Sequence, residues 1–124
     1  MRSLVCVVDD DESVRESLPD LLREFGFLAQ AFPSGPAFLE SDSYDECDCL
    51  LLDVAMPEMT GPELQQVLKR QGRATPIVYI TAHADNDVRP RLIAESAVEC
   101  LFKPFSQTDL LKALNRAMGK REES

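Results

Sequence analysis

The residues whose types and spacing could carry chemistry are Asp9, Asp10, Asp53, Thr81 and Lys103. Asp53 closes the apolar run Leu50-Leu51-Leu52. Met56-Pro57 and Thr60-Gly61-Pro62 then break the strand and open a helix. Asp9-Asp10 closes the apolar run Leu4 to Val8, Thr81 closes Ile77 to Ile80, and Lys103 closes Val98 to Phe102. Each has an ordinary explanation taken singly: an aspartate capping the next turn, a β-branched strand residue, a solvated lysine at a strand end. Together they share one setting, because the carboxyl ends of parallel strands form the edge where open α/β sheets bind their ligands. Carboxylates crowded there repel one another unless a cation sits among them, and an acidic cluster suits a divalent ion.

The elements that must position these residues alternate strand and helix five times. Strands are expected at Leu4 to Val8, Phe27 to Phe32, Leu50 to Asp53, Ile77 to Thr81 and Val98 to Phe102. The first helix, about Glu12 to Phe25, carries Val14, Leu18, Leu21, Leu22 and Phe25 on one stripe, and Pro19 inside it invites a bend. A short helix follows Pro36, and Ser41 to Glu46 is a polar connection. Thr60 with Glu63 forms a capping-box signature ahead of Leu64, Val67 and Leu68. Further helices are expected around Val88 to Glu95, and from Ser106 and Asp109 onward with Leu110, Leu111, Leu114 and Met118 inward. Short loops between five such units imply a parallel sheet covered by helices on both faces.

Composition excludes several classes. At 124 residues with 44% hydrophobic content, the chain is one domain able to bury a core. A net charge of −9 opposes a direct grip on a nucleic-acid backbone. No apolar run approaches the roughly 20 residues of a membrane span, and no signal peptide is evident, so a cytoplasmic protein is expected. Cys6, Cys47, Cys49 and Cys100, with His83 the single histidine, lack the convergent ligand spacing of a zinc site and read as reduced, buried thiols.

Val7-Val8-Asp9-Asp10-Asp11-Glu12, Leu52-Asp53 with Met56-Pro57 and Gly61, Ile80-Thr81-Ala82, and Lys103-Pro104-Phe105 resemble, in order and spacing, the receiver domain of two-component response regulators. The likeness runs from about Leu4 to Met118. The loop Thr81-Ala82-His83-Ala84-Asp85 is most similar to receivers on nitrogen-fixation regulators and related helix-turn-helix transcription factors. The resemblance implies a flavodoxin-like (βα)5 fold with strand order 2-1-3-4-5. It implies that Asp53 accepts a phosphoryl group from a sensor histidine kinase, and that Asp10 and Asp53 ligate Mg²⁺ directly. Asp9 would act through water, and the backbone carbonyl of Ala55 would complete the protein ligands. Lys103, aimed by a cis bond to Pro104, and Thr81 would contact the phosphoryl oxygens. Asp11 and Glu12 read as helix cap and first-turn acid rather than ligands.

Four positions depart from the family pattern: Pro19, Ser96 where glycine is usual, Ala55, and Cys100 where the aromatic switch residue is usual. Ala55 cannot steer a hydrolytic water, which leaves His83 as the nearby side chain that could tune dephosphorylation. Cys100 is too small to signal by repacking, and strand alternation puts Phe102 on its face as a substitute in the switch with Thr81. The switching face, formed by the fourth helix, fifth strand and last helix, is expected to support a phosphorylation-dependent homodimer. DNA is expected to be reached only through an output domain absent from this chain, with residues 1–119 the receiver and 120–124 a charged tail or linker start. The rival readings are a stand-alone receiver acting by protein contact, a degenerate constitutive binding module, and a Mg²⁺-dependent phosphatase. The last wants a second acid where Ala55 stands.

Overall fold

Mostly apolar segments of four or five residues form the strands β1 (Leu4–Val8), β2 (Leu28–Phe32), β3 (Cys49–Asp53), β4 (Ile77–Thr81) and β5 (Glu99–Phe102). The structure is a computed structural model that describes residues 3–54, 56, 58–81, 99–103 and 105–123, with residues 99 and 120–123 described by backbone alone. The strands pair in parallel, as their apolar runs predict, in the order β2-β1-β3-β4-β5 that the family resemblance implies. Around them lie α1 (Glu12–Glu24), α2 (Gly35–Leu39), a 3₁₀ turn (Asp42–Tyr44), α3 (Gly61–Arg70) and a last helix (Gln107–Glu123). The helix expected around Val88 to Glu95 lies outside the described residues, as do Ala55, His83, Pro90, Ser96 and Pro104.

The central strands are buried on both faces, which is why they read as unbroken apolar runs. Cys6, Val8, Leu50, Leu52, Tyr79 and Cys100 pack on one side against Phe38, Leu64 and Leu68. Val5, Val7, Leu51, Val78, Ile80 and Leu101 pack on the other against Leu18, Leu22, Leu110 and Leu114. β2 and β5 are the sheet's two edges, and Leu28 on β2 is the large hydrophobic side chain left exposed among the described residues.

Local signals mark the helix ends. Asp11 caps α1 by accepting from the Ser13 N–H, and Thr60 and Glu63 form the full capping box of α3. Gly26 and Gly72, just past α1 and α3, adopt φ of 97° and 76°, the left-handed turn that a side chain resists. Pro19 is buried within α1, which runs through it. The last helix departs from expectation twice. It buries Leu110, Ala113, Leu114 and Ala117 while Leu111 is only half-buried, because small alanines let the helix approach the sheet on that stripe. It also continues past Gly119 to Glu123, through residues expected as tail; Lys, Arg and Glu there are good helix formers and outweigh one glycine.

Candidate functional site

Asp9, Asp10 and Asp53 come together at the carboxyl ends of β1 and β3. One carboxylate oxygen from each lies within 4.8 Å of the others, the one such grouping of potential ligands among the described residues. Strand pairing makes this possible: β1 sits beside β3 with Val8 opposite Leu52, so the residues that follow leave the sheet side by side. Asp9 is fully buried, Asp53 nearly so, and Asp10 is exposed. Lys103 reaches across from β5, its Nζ donating to Asp9 Oδ2 at 2.9 Å. The Asp9 Oδ1 accepts the Asp11 N–H at 2.9 Å, and the Asp9 carbonyl accepts from Arg15 Nη1 at 3.0 Å. Burial alone would lower the lysine's pKa. The hydrogen bond and charge of Asp9, with the charges of Asp53 and Asp11, overcome it and hold the ammonium above the usual lysine range.

The backbone around Asp53 is fixed by hydrogen bonds to β4 and α3. Val54 donates to the Ile80 carbonyl at 3.0 Å, and Gly61 donates to the Val54 carbonyl at 2.9 Å, tying the start of α3 to the end of β3. A Cβ on Gly61 would stand 2.7 Å from the Asp53 carbonyl oxygen and 2.9 Å from Tyr79 Cε1, so only glycine permits this approach. Tyr79 is fully buried and its hydroxyl donates to Gln65 of α3 at 2.6 Å.

Thr81 ends β4 one residue past the partner of Asp53, and the Lys103 N–H donates to its carbonyl at 2.7 Å. The structure therefore brings Asp9, Asp10, Asp53 and Lys103 into one cluster and sets Thr81 beside Lys103. Thr81 is the register partner of Phe102, and Tyr79 of Cys100. Cys100 and half-buried Phe102 join the same core cluster, as alternation required. Ala55 and His83 lie outside the described residues, and so does the Lys103–Pro104 peptide. Sequence reasoning missed Arg15, whose only signal was a cation four residues after the capping Asp11. All four cysteines are buried and outside any disulfide. A hydrogen bond with Cys47, and burial, push the Cys6 thiol up.

A family model for the response regulator receiver domain matches residues 5–115. The chain belongs to the response-regulator receiver family. This receiver is 38% identical over 116 residues to the response regulator protein TodT of Pseudomonas putida F1, covering 94% of the chain and 51% of TodT. It thus spans about half the length of TodT and of the transcriptional regulatory protein TdiR of Thauera aromatica, and a quarter of the DNA-binding transcriptional regulator NtrC of Proteus hauseri. Among solved structures it matches the response regulator StyR at a TM-score of 0.88 and 41% identity, covering 99% of this chain and 62% of that one. FixJ-N matches at 0.85 and 32%, covering 96% and 95%, in line with the branch that the Thr81 loop resembles. The flavodoxin-like order β2-β1-β3-β4-β5 is the receiver's fold. No helix among the described residues is long and apolar enough to cross a membrane.

Proposed function

We propose that Asp53 is the phosphoacceptor of this receiver, charged by the phosphohistidine of a sensor histidine kinase in the cytoplasm. The observation that carries the reading is the cluster of three carboxylates within 4.8 Å, with Lys103 already on Asp9. An Asp53 carboxylate oxygen attacks phosphorus, the P–N bond to the imidazole breaks, and its electron pair returns to the ring nitrogen. Lys103 then has a new anionic oxygen to turn toward, and Thr81 offers a hydroxyl donor from the adjacent strand end.

The donor set suits Mg²⁺: carboxylate oxygens only, two of them buried and one open to water, for an ion that keeps part of its hydration. Asp10 and Asp53 with the Ala55 carbonyl would hold it, and Asp9 would act through water. When bound, the ion supplies charge that neutralises the phosphoryl oxygens. The side chains' own part is to place a nucleophile, a lysine donor and a hydroxyl on one edge.

The phosphorylated domain is read here as a homodimer built on the fifth strand, the last helix and the helix expected before them. It controls transcription through an output domain, a reading supported by a relative about twice its length that is named a transcriptional regulatory protein. A two-fold pair would match a two-fold DNA site. The test is incubation with acetyl phosphate and Mg²⁺ followed by intact-mass measurement. A single stable phosphoryl adduct, lost in Asp53→Asn, is expected. Rapid turnover without an adduct would indicate a phosphatase, and no reaction at all a constitutive binding module; either result overturns the proposal.

A further inference from the structure

We infer that Arg15 is a positioning residue for the acidic cluster, setting the plane of the peptide that joins Asp9 to Asp10. The inference rests on the phosphoacceptor reading above. Every other polar group of Asp9 has a fixed partner. Its N–H donates to the Phe32 carbonyl at 3.1 Å, Oδ1 accepts the Asp11 N–H at 2.9 Å, and Oδ2 accepts Lys103 at 2.9 Å. The carbonyl is the remaining group, and Arg15 Nη1 holds it at 3.0 Å.

That carbonyl is coplanar with the amide of Asp10. Turning the plane would swing Asp10, the exposed member of the cluster, away from Asp9 and Asp53. Arg15 is well placed to prevent this because it is itself anchored. It lies in the first turn of α1, its N–H donating at 3.1 Å to the carbonyl of the capping Asp11. Hydrogen bonds thus link the helix start, the guanidinium and the Asp9–Asp10 loop. A guanidinium presents its donors in a rigid planar fork, which an ammonium on a flexible stem does not reproduce.

Charge and positioning predict opposite signs, which makes the role separable. A cation beside a Mg²⁺ site repels the ion, so if Arg15 acted only as a charge its removal would tighten Mg²⁺ binding, by a few-fold at most where solvent and salt screen it. If Arg15 positions Asp10, its removal weakens binding. Partners that hold a metal ligand in place cost on the order of tenfold in affinity when lost, which outweighs the screened charge.

The experiment is Mg²⁺ titration of the isotope-labelled chain, followed by amide shifts at Asp10 and Asp53, for wild type, Arg15→Met and Arg15→Lys. Thermal midpoints are measured on the same samples. Arg15→Met should bind about tenfold more weakly with a similar thermal midpoint. Arg15→Lys should recover only part, and the Asp9 carbonyl resonance should shift in metal-free Arg15→Met. If Arg15→Met does not fold, Arg15→Gln carries the same comparison. An equal or tighter midpoint, beside a normal wild-type response, overturns this inference alone. A wild type with no response at Asp10 and Asp53 overturns the phosphoacceptor reading and this inference with it.

Discussion

Substituting Gly61 by alanine tests whether the backbone of Asp53, and not only its carboxylate, is part of the site. The new Cβ would lie 2.7 Å from the Asp53 carbonyl oxygen, 2.9 Å from Tyr79 Cε1 and 3.2 Å from Val54 Cα. Ordinary contact begins near 3.4 Å, so α3 and the end of β3 must part by about 0.7 Å. Two of the three obstacles are backbone, which cannot rotate away, and the third is a ring fixed by its hydrogen bond to Gln65. Overpacking of this kind costs about 1–3 kcal/mol, offset by the ~0.5–1 kcal/mol that alanine gains over glycine in a helix. A net loss of about 1–2 kcal/mol follows. Urea unfolding followed by circular dichroism should report it, since the chain has no tryptophan. Displacing a nucleophile by a fraction of an ångström should also slow phosphorylation from acetyl phosphate, by roughly tenfold or more. Gly72→Ala is the control. Its φ of 76° strains an alanine by about 1–2 kcal/mol, but nothing lies within 4 Å of the new Cβ, so only stability should fall. Wild-type stability and wild-type phosphorylation in Gly61→Ala would refute the close-approach argument.

Lys103→Met should cost about 2 kcal/mol by thermal unfolding, less than the ~3–5 kcal/mol for one half of a fully buried pair because the lysine is partly exposed; unchanged stability would mean the Asp9 pair contributes nothing. The folded pKa of Lys103 is raised, so its contribution is present below about pH 10.4, the unfolded value, and fades as pH climbs through the folded one. Lys103→Met should lack that alkaline decline. Phe102→Ala should abolish dimerisation induced by a beryllofluoride mimic in sedimentation velocity while leaving Asp53 phosphorylation intact, and Cys100→Tyr should preserve or strengthen it. A normal dimer in Phe102→Ala would move the signal to the loop after Thr81. Phosphorylated wild type should lose phosphate more slowly than Ala55→Asn, with a further change in His83→Ala. Equal rates in wild type and Ala55→Asn would end the argument from the missing side chain.

Much of this site is legible in the sequence because its signals are local. Apolar runs ending in Asp9, Asp53, Thr81 and Lys103 name the strand ends, and burial on both faces names the sheet as parallel. The Thr60–Glu63 spacing names a helix start that the structure reproduces bond for bond. What lies beyond local pattern is pairing. Lys103 meets Asp9 across 94 positions only because β1, β3, β4 and β5 stand side by side in register, and periodicity within a strand carries no register. The same holds for Thr81 beside Phe102, for Gly61 against the Asp53 carbonyl, and for Arg15 on the Asp9 carbonyl. Helix periodicity likewise assigned Leu111 inward, whereas docking on the sheet chose the stripe of Ala113 and Ala117. Residue types and spacing thus determined which groups could do chemistry. Their distances and partners, and the close contact that only a glycine allows, were decided by how strands and helices pack, because those quantities depend on contacts between segments far apart in the chain.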